Sequence, residues 1–231
     1  MPDESGLIRD VDAITPSFID SVDPNLLDTL TEISEAGLDL LVNAGALDSI
    51  PIIKTLIGVT KTAMSVHEAN LMRQTATFLK ALLTGGLDDR EWEEHIRKLR
   101  DDPKMAAKEV SFVLALVDRN VDTTRSEMHG RLYGALVNRS ISWEEFVDMS
   151  EVASRCMVSD LAMLQQIRSG EIDASNPDNG FRAGRLASLG LIAQKMKEEV
   201  VGTDLRFSEY DYLSMTPFGE QFCRYAIGAG A

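Results

Sequence analysis

Apolar residues over positions 1–170 recur mostly at helical spacing, and polar residues between them mark starts and stops. Asp23-Pro24 reads as a helix start, an N-cap acceptor followed by proline at the first helical position. Leu26, Leu27, Leu30, Ile33, Leu38 and Leu41 follow, interrupted by Gly37. Asp48, Ser49 and Pro51 mark a second start, and the pattern predicts a helical run to Leu83 with Gly85-Gly86 as its stop. Asp88 with Glu91 forms a capping box ahead of the stripe Trp92, Ile96 and Leu99. Asp102-Pro103 opens a helix with Val110, Val113, Leu114 and Val117 inside. Another begins near Asp122 and carries Met128, Leu132, Tyr133 and Leu136. Ser142 with Glu145 is a second capping box, leading through Phe146, Met149, Val152 and Met157 toward Ile167. The pattern changes near residue 170, where Asn176-Pro177-Asp178-Asn179-Gly180 is a clear break. A short helix from Phe181 to Leu189 then leads into a strand start at Leu191-Ile192. Residues 205–215 predict two short strands around a turn at Ser208-Glu209, and Thr216-Pro217 caps a last helix with Phe218, Phe222 and Tyr225.

The fold class read from this pattern is mainly α. A helical bundle over 23–170 precedes a small α+β module over 171–231, with an onset as early as 155. Composition agrees: 44% hydrophobic and 26% charged residues in 231 are the proportions of a soluble globule. Charge changes the picture at one end. The formal net charge is −14, and the first fifty residues hold eleven acids against one base, Arg9. With Pro2, Gly6 and Pro16 and no clear period, residues 1–22 read as an acidic flexible arm. The balance argues against holding nucleic acid by global electrostatics. Neither a basic, apolar leader nor an uncharged span of about 18 residues is present. The expected location is cytoplasmic, with peripheral contact at the inner membrane as an extension. Cys156 and Cys223 then stay reduced and pack as small hydrophobes.

Motifs for catalysis and metal binding fail one by one. Gly58-Val59-Thr60-Lys61-Thr62 lacks the second glycine of a phosphate loop, since position 53 is Ile. His67, His95 and His129 have no ligand spacing and read as surface or half-buried helix residues. Glu93-Glu94, Glu144-Glu145 and Glu198-Glu199 are adjacent, so on a helix they diverge by about 100°. No Gly-x-Ser-x-Gly elbow occurs. The expectation is a non-catalytic protein with no cofactor and no metal.

The segment carrying a functional expectation is 50–66. Lys54 and Lys61 lie seven apart and share a face near Gly58, while Ile52, Ile53, Leu56 and Val59 occupy the other side; no acid occurs there. An amphipathic cationic helix of this kind can engage an anionic membrane or a partner. Ile52, Ile53, Lys54, Leu56, Ile57, Gly58 and Lys61 are therefore the candidate contact residues, with the acidic arm as a cover for the two lysines. The bland alternative is an amphipathic helix buried in its own bundle.

Two resemblances add to this. Arg185, Leu186, Leu189, Gly190, Leu191, Ile192, Tyr212, Leu213, Thr216, Gly219 and Phe222 follow an order that resembles a winged-helix domain over 155–228. The resemblance implies that the helix before Leu189 is a recognition helix and the strand pair a wing. Arg182, Arg185 and Arg206 would then be the nucleic-acid contacts. Few cations and the neighbouring Asp204, Glu209 and Asp211 make this poor for DNA, so nucleic acid is an unlikely partner.

The order of Ile50-Pro51-Ile52 to Gly58 and Lys61, the charged Asp88–Arg100 segment, Asp102-Pro103-Lys104, Val117-Asp118-Arg119, Ile141 to Phe146 and Ser159-Asp160-Leu161 resembles a group of poorly characterised bacterial helical proteins. It implies the same architecture and a bacterial or phage conflict setting. The leading expectation is thus an interaction protein of an antiviral defence setting, acting by oligomerisation or by engaging a protein or membrane through 50–83. A DNA-binding transcriptional regulator is the alternative, and a cryptic enzyme the third reading.

Overall fold

The computed structural model describes residues 11–22, 50–57, 65–172, 179–201 and 204–228. It is mainly helical with a two-stranded antiparallel sheet. The helices are α1 (Val11–Ser21), α2 (Pro51–Ile57), α3 (Val66–Thr84), α4 (Asp89–Asp101), α5 (Pro103–Arg119), α6 (Thr123–Val137), α7 (Trp143–Arg155), α8 (Leu161–Ser169), α9 (Gly180–Ser188) and α10 (Pro217–Phe222). The strands β1 (Ile192–Val201) and β2 (Asp204–Met215) lie between α9 and α10. The chain divides into two compact units, Met1–Ser150 and Glu151–Ala231. The division falls inside α7, well before the turn-rich break at 170 that the sequence pattern suggests. Within the second unit Asp160 bonds to Arg185 of α9, and α8 packs on β2.

Helix starts were legible because their caps are local. Asp88 accepts from the Glu91 amide, Asp102 from those of Lys104 and Met105, and Asp122 from that of Arg125. Ser142 and Glu145 make the reciprocal box. The run expected from 51 to 83 is two helices instead. Ser65 and Glu68 form a further capping box that starts α3 afresh.

Residues 11–22 are no arm, which corrects that expectation for this stretch. Ile14, Phe18, Ile19 and Val22 are buried from one side of α1. Ser21 Oγ accepts the Ile52 amide at 2.7 Å, filling one orphan donor at the start of α2, and donates to Ser17 O. Residues 1–10 lie outside the described residues, as does the run of leucines at 26–41.

The core of the first unit centres on Tyr133, fully buried in α6. Phe18, Phe78 and Phe146 surround it at ring centroid distances of 5.9, 5.8 and 5.9 Å. Such tilted and edge-on pairs add to the area they bury. α3 and α6 pack closely, and the reason is Gly130. A Cβ there would sit 2.9 Å from Ala81 Cβ and closer still to Phe78 O. Gly130→Ala is therefore expected to lower stability by ~1–3 kcal/mol through overpacking. Gly184→Ala, where a Cβ meets nothing within 4 Å, should add ~0.5–1 kcal/mol in mid-helix. Thermal melts of both variants check this; a Gly130→Ala protein melting at or above the parent would contradict the crossing.

In the second unit β1 and β2 pair from Ile192↔Met215 to Val201↔Asp204, with irregularities flanking Met196. Ser208 and Glu209 lie within β2, so the expected turn there is corrected: the two strands are 192–201 and 204–215. The polar run after Ala193 hides the first strand because backbone pairing does not require apolar alternation. Thr216 Oγ1 accepts the Gly219 amide and donates to Gly190 O at 2.6 Å, fixing α10 against the start of β1.

Candidate functional site

The residues expected to contact a partner or membrane are not presented as one face. Ile52 and Ile53 are fully buried in the core of the first unit, which corrects their assignment as contact residues. Leu56 is half-buried and Lys54 is exposed, while the side chain of Ile57 lies outside the described residues. Gly58 and Lys61 lie outside the described residues. No ion pair joins Lys54 to α1 among the described residues, so the described part of the proposed cover does not reach it.

The arginines expected at a recognition helix are engaged elsewhere. Asp160 is 1% exposed, and Arg185 holds it by two bonds, Nε to Oδ2 at 2.8 Å and Nη2 to Oδ1 at 2.6 Å. Arg182 Nε stands 3.9 Å from Oδ1. The Arg185 guanidinium also lies 4.4 Å over the Phe181 ring. A buried carboxylate needs such a partner, so Arg185 serves the fold of its own unit. Arg206 stands opposite Glu199 in the strand register.

What the tertiary structure assembles instead is a pocket of about 390 Å³ in the first unit. α4 contributes His95 and Lys98, one turn apart. α5 contributes Met105, Lys108 and Glu109, again on one face. Leu136 and Val137 end α6, Arg139 and Ile141 follow in the turn, and Trp143 opens α7. Its walls are chiefly apolar, as in small-molecule sites, whose volumes begin at about 300 Å³.

Its polar floor is a tied cluster. Glu109 is buried, and its Oε1 accepts from Tyr133 OH at 2.7 Å and lies 2.8 Å from His95 Nε2. His95 Nε2 is also 3.2 Å from the tyrosine oxygen. A carboxylate only accepts, so Nε2 carries the hydrogen in this arrangement and Nδ1 is left for another group. Burial, and after it the Glu109 charge, pushes the Tyr133 phenol well above its usual range, so it stays a donor. Trp92 stacks on the His95 ring at 6.4 Å, and Tyr133 meets that ring in an edge arrangement at 5.9 Å.

Compared with family models, with curated proteins and with solved structures, the chain matches none of them. The site is therefore read from its own geometry.

At the rim Arg139 has the left-handed backbone, φ 53°, that glycine usually occupies after a helix. Ser140 N donates to Ala135 O and Arg139 N to Leu136 O, closing α6 in a Schellman motif. The turn aims the guanidinium back at α4, where Nε reaches Glu91 Oε2 at 2.8 Å and Nη2 pairs with Glu94. Arg139, with smaller contributions from Arg97 and Lys98, holds the Glu94 carboxyl below the usual carboxylate range. Asn138 braces the same corner by accepting the Asp88 amide and donating to Gly86 O.

Sequence reasoning passed over Glu109, which reads as one more charge beside Lys108. Two signals were present. A Tyr at a core position needs a partner for its hydroxyl, and Lys108 and Glu109 share the Val113 side of α5 only in part. The partner itself comes from a helix 24 residues away, which spacing within one helix does not reveal.

Proposed function

We propose that this chain is a non-catalytic interaction protein whose N-terminal unit binds an apolar group of a ligand or partner in the pocket between α4, α5 and the α6–α7 turn. The pocket itself carries this reading: a concave, mainly apolar surface of about 390 Å³ with polar groups already fixed on its floor. Glu109 and Arg139 are spent on neighbouring groups, so they shape the walls. The surface offered to a visitor is Met105, Leu136, Ile141 and Trp143. The burial of Ile52 and Ile53 supports this route over engagement through α2, because presenting them would first unpack the core. Amide and methyl NMR spectra of the full chain titrated with small aryl and alkyl probes test it. Shifts should concentrate at residues 95, 105, 136, 141 and 143. No saturable shift there with probes of any charge would end the reading.

For the C-terminal unit we propose a winged-helix-like module that packs or contacts protein rather than DNA. The antiparallel hairpin directly after α9 supports a wing, and the Arg185–Asp160 pair supports a non-DNA role. Mixed-sequence duplex DNA at low salt should give no gel shift; a salt-dependent shift would restore the regulator alternative.

A further inference from the structure

We propose that the pocket's ligand is a small amphiphilic carboxylate, its apolar body against Trp143 and its head between Lys98 and Lys108. This rests on the pocket-binding reading and adds the ligand's chemical class. Three cations line the cavity, and they differ in what they have left to give. Arg139 is bound to Glu91 and Glu94. Lys98 and Lys108 make no ion pair or hydrogen bond through their ammonium groups among the described residues, and both are exposed. They come from two different helices, α4 and α5, and line the same cavity.

The negative charge in the lining is Glu109. It lies at the floor, 6% exposed, and its Oε1 already meets Tyr133 OH and His95 Nε2. A cationic head therefore finds its best partner occupied and two ammonium groups at the entrance. An anionic head finds those ammonium groups unopposed by any direct partner. His95 Nδ1 makes no hydrogen bond among the described residues, and is available to a polar substituent on the ligand's body.

The apolar walls set the other half of the class. Met105, Leu136, Ile141 and Trp143 make an aryl ring or a short alkyl chain the matching body. An inorganic anion would leave that surface wet and gain only two exposed ion pairs, each worth at most about 1 kcal/mol. Selectivity for an anion with an apolar tail over phosphate or chloride follows.

The test uses the full-length chain, with 2-naphthoate and octanoate against their primary carboxamides and 2-naphthyltrimethylammonium. Binding is read by calorimetry and by the NMR shifts at residues 105 and 143. The carboxylates should bind more tightly than the amides, and the preference should shrink as salt rises. Lys98→Met and Lys108→Met keep an apolar stem and remove the charge. Each should cost the carboxylates about three- to fivefold in affinity, the fold-change of an exposed ion pair, and leave the amides unchanged. Unaltered melting of these surface variants confirms that the fold is kept. If amides bind as tightly as carboxylates, or the ammonium compound binds best, the carboxylate class is overturned while the pocket stands. If none of the probes binds, the pocket reading falls and this inference with it.

Discussion

Phe18→Ala is expected to lower the unfolding free energy of the N-terminal unit by ~3–5 kcal/mol, the usual loss for a large aromatic cut from a core. Phe18 is 1% exposed, with its ring 5.9 Å from Tyr133 and 6.4 Å from Phe78. It ties α1 to the same aromatic centre that α3 and α6 share. A solvated acidic segment would behave differently, since surface substitutions usually stay within about 0.5 kcal/mol. Asp20→Ala, on the exposed side of the same helix, is the control and should stay in that range. Both tryptophans of the chain, Trp92 and Trp143, lie in this unit, so their fluorescence in urea follows its transition. A loss below about 1 kcal/mol for Phe18→Ala would mean that α1 does not pack as described.

Acid should weaken the same unit through His129. The ring is fully buried, within 3.2 Å of Asn120 Nδ2 at Nδ1 and of Ser150 O at Nε2. Asn120 continues to Ser126, and Ser126 to Gln74. In this network Asn120 donates to Nδ1 and Nε2 donates to Ser150 O, which leaves no place for a second ring proton. Burial, the largest cause, lowers the His129 pKa from 6.5 to about 4. The unfolded chain therefore takes up a proton that the folded one refuses. This contribution to stability is whole above the unfolded value, falls as pH drops from 6.5 toward 4, and is flat below. By linkage the loss is about 2 kcal/mol at about pH 5 and about 3 kcal/mol at about pH 4. An NMR titration of the His129 ring protons reads the midpoint directly. His129→Gln should flatten the decline between about pH 7 and pH 5 by about 2 kcal/mol, whatever it costs at neutrality. A midpoint near the unperturbed value would show that water reaches the ring.

The candidate site was far less legible than the helices around it. The sequence reads His95 as a surface or half-buried helix residue, and its side chain is 14% exposed. Its neighbours could not be read, because Glu109 and Tyr133 come from two other helices and meet it only on packing. The same holds for Arg185, which within its own helix looks like a free cation on a polar face. Asp160, 25 residues earlier, takes it. Charge near a helix predicts a nucleic-acid or membrane face only if nothing in the fold claims that charge first. Arg139 gives the converse case. Its backbone conformation after α6, not its position in a pattern, sends its guanidinium to Glu91 and Glu94.

The sequence by itself determined the mainly helical class, the caps at Asp88, Asp102, Asp122, Ser142 and Thr216, the onset of the first strand near Ile192, and the closing helix. These depend on bonds within three or four residues and on apolar spacing within one element, which are local properties of a chain. Tertiary structure decided that Ile14, Phe18, Ile19 and Val22 are core, that Ile52 and Ile53 face inward, and that the chain divides inside α7. It also decided which charges are spent and which remain. Each of these turns on groups far apart in sequence competing to fill one volume or satisfy one charge, and that competition is settled only when the helices meet.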